Sequence, residues 1–367
     1  MNSSLYIHIP FCKRLCGYCD FYKTMSLELL DGVLVRTAEE MRRRAPMLEG
    51  TVLKTIYFGG GTPTVCTPEQ IGALLRTAEE VFDCSQVEEI TVEANPDDLT
   101  EEYLEGLRRE GVNRLSIGIQ SFRDEDLRLM NRRHNAAEAV AAVERARRAG
   151  FDNISIDLIY GLPDATLEDW ERNVRRAVAL GVEHISAYHL TIEENTFFGK
   201  RGVKTAPEEL SEREYEVLCR VLREAGYEHY EISNFALPDR RSRHNSAYWK
   251  GSPYLGLGAG AHSFDGERVR SWNTPSVKRY LEGTSLELEE LTDVERYEEE
   301  VMVALRTREG VELARLERLF GRARRDSFER IARGWVGRGV LRLEEGRVAF
   351  EEAHWLISDG VIAEFFD

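Results

Sequence analysis

Between residue 4 and about residue 190 the chain alternates short apolar runs with longer amphipathic ones, and this alternation limits its fold more than any other feature. Leu5–Ile9, Lys54–Phe58, Glu89–Glu93, Arg114–Ile119, Ile154–Ile159 and His184–Leu190 read as strands. Leu27–Arg44, a segment opening at Thr67, a stretch near 100–110 and Thr166–Leu180 read as helices between them. Thr67-Pro68-Glu69-Gln70 carries an N-cap, a first-turn proline and a capping-box glutamine, and Gly181 stops the helix before it. Parallel strands need a crossover, so six strand–helix units in series imply a parallel sheet with helices outside. An open three-quarter barrel and a doubly wound sheet both satisfy that pattern. In either, function collects at the C-terminal ends of the strands.

Beyond residue 200 the pattern loosens. A helix capped by Ser211-x-x-Glu214 and a strand at Glu228–Ile232 fill 207–232, followed by a polar loop and the Gly-rich run Leu255–Ala261. From about 290 helices are expected at 294–306, 311–320 and 324–338, then a β-pair at Val340–Leu343 and Arg347–Phe350 and a terminal helix. The chain therefore divides into 1–235 (barrel), 236–289 (connecting region) and 290–367 (winged-helix-like). Winged helices often bind DNA, but no strong basic stripe runs through this one, which favours a lid or docking role.

Net charge argues the same way. At −16, the chain does not present the basic surface that phosphate binding needs, so no nucleic-acid partner is expected. Arg-rich runs such as 42–44 and 145–148 are interleaved with acids and read as solvated helix faces. No signal or transit peptide precedes the first strand, and no apolar run approaches the roughly 20 residues that span a bilayer. Six cysteines without a leader point to a reducing cytoplasm rather than a disulfide framework, with Cys66, Cys84 and Cys219 structural.

The other three, Cys12, Cys16 and Cys19, lie within eight residues, directly after the first strand. Soft thiolates favour zinc, Cu(I) or iron–sulfur clusters, and three of them can hold three corners of a [4Fe–4S] cube with one iron left open. Other readings compete. A structural zinc site normally has four protein ligands, a Cys16-x-x-Cys19 redox pair leaves Cys12 unused, and buried inert cysteines are common.

Cys-x3-Cys-x2-Cys with Tyr18 before the last cysteine resembles the radical S-adenosylmethionine (SAM) superfamily. That resemblance implies a partial (β/α)6 barrel, a [4Fe–4S] cluster on Cys12, Cys16 and Cys19, and SAM chelated at the open iron and cleaved to a 5′-deoxyadenosyl radical. It also gives parts to other residues. Gly60, Gly61 and Thr62, in Gly59-Gly60-Gly61-Thr62-Pro63, would meet the amino group of SAM; on its own the run reads equally as a tight strand-to-helix turn, and it is neither a Walker loop nor a dinucleotide fingerprint. Tyr6 and His8 share one face of the first strand and would border the cofactor, and Tyr18 would lean on the adenine; all three could equally fill the barrel mouth. Glu93, Gln120, Arg132 and Asp157 stand at or after strand ends, where each alone would pass for a surface residue or cap. Carboxylates suit ribose hydroxyls and a guanidinium suits a carboxylate.

The surrounding motifs narrow the resemblance. Thr-Val-Glu93-Ala-Asn-Pro, Gly-Ile-Gln120-Ser-Phe, Met-Asn-Arg132 and Ile-Asp157-Leu-Ile-Tyr-Gly-Leu-Pro resemble oxygen-independent coproporphyrinogen III oxidases and their relatives across essentially the whole chain. The oxidases carry a longer N-terminal region and a fourth cysteine where this chain has Phe21. His244-Asn-Ser-Ala-Tyr248-Trp249 instead matches the HNxxYW motif of the heme-chaperone (HemW) branch, which binds heme and passes it to respiratory hemoproteins. On that resemblance His244 is the expected heme ligand, Tyr248 and Trp249 stack on the porphyrin, and Arg240, Arg241 and Arg243 pair with propionates; by itself a loop histidine beside packing aromatics would mean little. The rival is the enzyme, decarboxylating coproporphyrinogen III, with a radical methyltransferase or heme-degrading relative behind it. Either role requires an electron donor. Relatives can dimerise, and any membrane contact would be indirect, because no amphipathic anchor is evident.

Overall fold

The computed structural model describes residues 1–366. Six strands, β1 (Asn2–Ile9), β2 (Val52–Gly60), β3 (Glu89–Ala94), β4 (Arg114–Gln120), β5 (Ile154–Tyr160) and β6 (His184–His189), lie side by side in sequence order and all parallel. Helices Leu30–Arg44, Pro68–Val81, Glu101–Arg109, Ala136–Arg148 and Leu167–Ala179 fill the crossovers. The helix opening at Thr67 carries the expected reciprocal cap with Gln70.

Side-chain alternation divides the sheet into two unlike faces. Leu5, Ile7 and Ile9 are fully buried against the helices, together with Leu115, Ile117, Ile154 and Ile156. The opposite face is polar: Tyr6 bonds His8 along β1, and Tyr57 bonds Glu93 and Ser116 bonds Asp157 across the strands. A sheet whose inner face is this polar must curl around something hydrophilic or pair its own groups.

The sheet continues past both ends of the six. On one side follow β8 (Asn234–Ala236) and β7 (Glu228–Glu231), antiparallel; on the other β9 (Tyr254–Leu257) pairs parallel with β1, and β10 (His262–Phe264), β11 (Val269–Asn273) and β12 (Leu286–Glu290) extend it antiparallel. The twelve strands do not close: β12 and β7 are its two edges. The partial barrel is therefore open. Residues 236–289 are not a connecting region but part of this same sheet, a correction that short, polar strands hid from periodicity. Ser211 is likewise no helix cap; its helix begins at Glu208, and Glu214 accepts a hydrogen bond from Gly161 N (2.8 Å).

Glu40 fastens the extension. Only 1% exposed, its carboxylate accepts from Arg44 (3.0 Å), Asn273 Nδ2 (2.8 Å), Tyr280 Oη (2.6 Å) and Gly258 N (3.1 Å), while Arg44 also reaches Ser263 and Ser271. One buried charge thus ties the first helix to three added elements.

The C-terminal unit packs helices Asp293–Leu305 and Leu313–Val336 on a small sheet of β13 (Val311–Glu312), β15 (Arg347–Phe350) and β14 (Leu341–Glu344). Gly321, at φ 83°, breaks the long helix near the expected boundary. Backbone bonds from Ile232 N to Arg306 O and from Arg308 N to Tyr230 O join this unit to β7. Among the described residues no helix is long and apolar enough to cross a membrane.

Breaking a buried, multiply bonded ion pair from one side strands its partner, at a cost on the order of 3–5 kcal/mol. Glu40→Ala should lower the denaturant-derived stability by about that amount, whereas an exposed pair such as Arg148–Glu101 should be removable at under about 1 kcal/mol.

Candidate radical SAM site

The three thiols sit on the loop that leaves β1, and none is in a disulfide. The loop is pinned at its ends and middle. Cys12 N donates to Thr24 O (2.9 Å) and Thr24 N to Pro10 O (2.7 Å), which closes it. Gly17 N donates to Met130 O (3.0 Å) and Asn131 Nδ2 to Leu15 O (2.8 Å), which fix its crown against the turn after β4. Asn131 takes a left-handed backbone (φ 58°), a conformation asparagine tolerates better than most residues. Gly17 also lies under Phe198, whose ring would be 2.5 Å from an added Cβ.

Two side chains aim donors at the sulfurs. Arg132 Nη1 lies 3.3 Å from Cys16 Sγ, and Thr62 Oγ1 3.4 Å from Cys12 Sγ. Arg132 is otherwise held by Asn95 Oδ1 (2.7 Å) and Gly118 O (2.5 Å), and its Nε is buried without a partner. Three thiols outside any disulfide, one with a guanidinium and one with a hydroxyl directed at it, fit an iron–sulfur centre; burial raises the Cys12 thiol and the Thr62 hydroxyl opposes that rise.

The glycine run clears the space beside the loop. A Cβ on Gly61 would stand 2.7 Å from Phe11 O and 2.9 Å from Ile9 O; one on Gly60 (φ 111°) would stand 2.6 Å from the His8 ring. Gly60 N is directed at Glu93, which also accepts from Tyr57 Oη (2.8 Å). Asp157 is reached by Ser116 Oγ (3.5 Å). Burial pushes the Glu93 carboxyl up to about 7 and that of Asp157 to about 6, against their hydrogen bonds and the buried Arg114. Gln120 ends β4 at φ 70°, where the β4–β5 register slips. Non-glycine residues in that region are strained, and such positions concentrate at functional sites.

Of the expected residues, the cysteines, Gly60, Gly61, Thr62, Glu93, Gln120 and Arg132 lie at or after the C-terminal ends of the strands, and Asp157 lies at the middle of β5. Tyr6 is half-buried, with its hydroxyl 3.0 Å from His8 Nδ1. Tyr18 rests beside a small apolar cluster that includes Met130, Ile159 and Phe198, near Arg132. Sequence reasoning missed Tyr57, Asn95, Arg114 and Asn131. Arg114 in particular is a charge in a strand pattern, 1% exposed, and a charged residue inside an otherwise buried strand was the available signal.

His244 is a correction. It is 1% exposed in the lower barrel, stacked on Tyr57 (4.8 Å between centroids), with Nδ1 2.8 Å from Thr55 Oγ1 and Nε2 2.8 Å from Tyr248 Oη. Both ring nitrogens are engaged, so in this structure it packs as a core residue and not as the exposed loop imidazole the sequence suggested. Arg241 is paired with Glu228 and Glu309, and Arg243 with Glu88; they and Trp249 line a different recess from Tyr248.

A cavity of about 830 Å³ opens beside the thiol loop. Tyr6 and His8 form its inner wall, Asp20, Phe21 and Tyr22 its upper edge, β9–β11 one side and the C-terminal unit the other. Its volume falls within the roughly 300–1,000 Å³ of small-molecule sites.

An open parallel barrel with three thiols after its first strand and a glycine turn after its second is the layout of a radical SAM protein, and residues 6–177 match the Radical SAM superfamily model. Residues 291–357 match the HemN C-terminal domain. The chain is 36% identical to the heme chaperone HemW of Bacillus subtilis, over 99% of this chain and 98% of that one. It is 36% identical to that of Escherichia coli K12, over 77% of each. Coproporphyrinogen III oxidase (HemN) from Escherichia coli superposes with a TM-score of 0.86 at 26% identity, covering 99% of this chain and 89% of that one. The chain belongs to the HemW family of radical SAM proteins. The superfamily works with a [4Fe–4S] cluster and SAM: the cluster supplies an open iron that binds the amino-acid end of SAM and an electron for its reductive cleavage.

Two outcomes test this geometry. Gly61→Ala should displace the backbone at Phe11 and lower iron and sulfide content after anaerobic reconstitution, while circular dichroism stays that of the parent. A carboxyl whose folded pKa exceeds its unfolded value of about 4.5 binds more protons in the native state, so its contribution to stability is present at low pH and lost as pH rises through about 7. The melting temperature of the cluster-free protein should therefore fall between about pH 5 and 7.5, with a shallower slope in Glu93→Gln.

Proposed function

We propose that this chain is a heme chaperone that binds heme and hands it to heme-requiring respiratory proteins in the cytoplasm. Cys12, Cys16 and Cys19 hold the cluster. Gly60, Gly61, Thr62, Glu93, Gln120, Arg132 and Asp157 receive SAM, with Tyr6 and Tyr18 at its border. In this reading Arg132 and Thr62 orient the thiolates, Glu93 and Asp157 accept from hydroxyls of the nucleoside, and the curled sheet keeps bulk water from the open iron. A protein electron donor reduces the cluster, and a homodimer is the assembly we favour.

The observation that carries this reading is similarity of 34–36% over nearly the whole chain to proteins named heme chaperone HemW in Bacillus subtilis and Mycobacterium tuberculosis. Phe21, 72% exposed at the cavity edge, stands where the oxidase pattern has its fourth cysteine. The close superposition on the oxidase keeps one second reading, oxidative decarboxylation of coproporphyrinogen III.

One anaerobic sample separates the two. Heme titrated into reconstituted protein should give a saturable Soret band at one heme per chain, and coproporphyrinogen III with SAM and dithionite should release no CO2. Saturable binding without decarboxylation supports the chaperone; decarboxylated product overturns it.

A further inference from the structure

A second group of metal-binding side chains gathers away from the thiol loop, where the barrel meets the C-terminal unit. Cys219 comes from the helix Glu208–Glu224, His229 from β7, and Glu352 from the short helical turn Glu352–Ile357 that follows β15. One donor atom of each lies within 4.8 Å of the other two, and among the described residues this is the only such group. Cys219 and His229 are buried. The radical SAM site uses none of the three.

The imidazole is held at a fixed angle. Its ring lies flat on Phe235 (4.0 Å between centroids, 13°) and edge-on to Trp355 (4.1 Å, 68°), which leaves it little freedom to turn. Nδ1 then stands 3.2 Å from Glu352 Oε1 and 3.9 Å from Cys219 Sγ. On the other side of the ring Nε2 is 3.4 Å from Ile232 O, with Tyr215 Oη at 3.5 Å. Histidines that bind metal through one nitrogen commonly donate the other N–H to a backbone carbonyl, and Ile232 O is placed to accept it. With its proton there, the ring turns an Nδ1 lone pair toward a carboxylate and a sulfur. A cation among the three resolves that opposition.

The separations suit a single ion. Bonds of about 2.0–2.1 Å to nitrogen and oxygen and about 2.3 Å to sulfur, at tetrahedral angles, set donor atoms about 3.3–3.6 Å apart. One thiol, one imidazole and one carboxylate form a borderline-soft set, which favours zinc over calcium or magnesium. Arg223 Nη2 donates to Glu352 Oε2 (2.5 Å), so the carboxylate is oriented with Oε1 toward the imidazole. The Glu352 side chain is 35% exposed, which gives solvent a path to a fourth position.

We propose that Cys219, His229 and Glu352 bind a zinc ion, with water as the fourth ligand, and that the ion clamps the C-terminal unit to the barrel. Burial raises the Cys219 thiol to about 12, and binding displaces its proton to solvent. Only Glu352 comes from the C-terminal unit, so the ion adds a bond across that boundary. The site stands independently of heme and of SAM.

Zinc should be titrated into the full chain carrying Cys12→Ala, Cys16→Ala and Cys19→Ala, which removes the competing thiols, and into the same chain with Glu352→Gln or Cys219→Ala added. Elemental analysis after desalting should find about one zinc per chain in the parent, with affinity at least about tenfold weaker in either added variant. Cobalt(II) in place of zinc should give a thiolate-to-metal charge-transfer band that Cys219→Ala removes. Zinc should also raise the melting temperature of the parent and not that of Glu352→Gln. Circular dichroism checks each fold, and Glu352→Gln, at a partly exposed position, keeps the test decisive if Cys219→Ala does not fold. A parent that retains no zinc, or that binds it equally after Glu352→Gln, overturns the site and leaves His229 and Glu352 a plain hydrogen-bonded pair. Zinc retained with no change in melting temperature overturns the clamp.

Discussion

The half-buried guanidinium of Arg132 is the contact on which the site depends. It reaches Cys16 Sγ, Asn95 Oδ1 and Gly118 O at once, and so joins the thiol loop after β1 to the ends of β3 and β4. The loop itself has little regular structure, and fixing it costs backbone entropy that local contacts alone would not offset. Its crown is held by distant chain, Asn131, Met130 and Phe198, while Thr24 closes the base locally. Three cysteines can act together only because other parts of the chain hold them in place.

Electrostatics follow from the same arrangement. The inner barrel face half-buries Glu93 and Asp157, and desolvation raises both carboxyl pKa values although the buried Arg114 nearby acts to lower them. Each pays for desolvation with hydrogen bonds, to Tyr57 and Gly60 in one case and serines in the other. A polar lumen with adjustable protonation is suited to a cofactor that carries both charges and hydroxyls. His244 belongs to this packed interior: its bonds to Thr55 and Tyr248 seal the lower barrel and carry Tyr248 into the neighbouring cavity wall.

How much of this was legible in the sequence depended on periodicity. The six parallel strands were readable because each is an apolar run followed by an amphipathic helix, and Thr67, Thr166 and Gly181 marked helix ends by chemistry that acts locally. The site residues at strand ends were readable through motifs. The outer strands were not. β9–β12 are short, glycine-rich or charged, and they are specified by partners far away, such as Glu40 meeting Asn273 and Tyr280. His244 was misplaced for the same reason, since nothing local tells a loop imidazole from one threaded under Tyr57. Cys219, His229 and Glu352 carried no motif at all, and only the docking of the C-terminal unit brings them together.

The central claim is a cluster on three cysteines whose remaining iron is open to SAM. Electron paramagnetic resonance of the dithionite-reduced, anaerobically reconstituted protein tests it directly. The account predicts a [4Fe–4S]+ signal that shifts when SAM is added and is absent from Cys12→Ala. A signal unaltered by SAM, or one retained without Cys12, would contradict it.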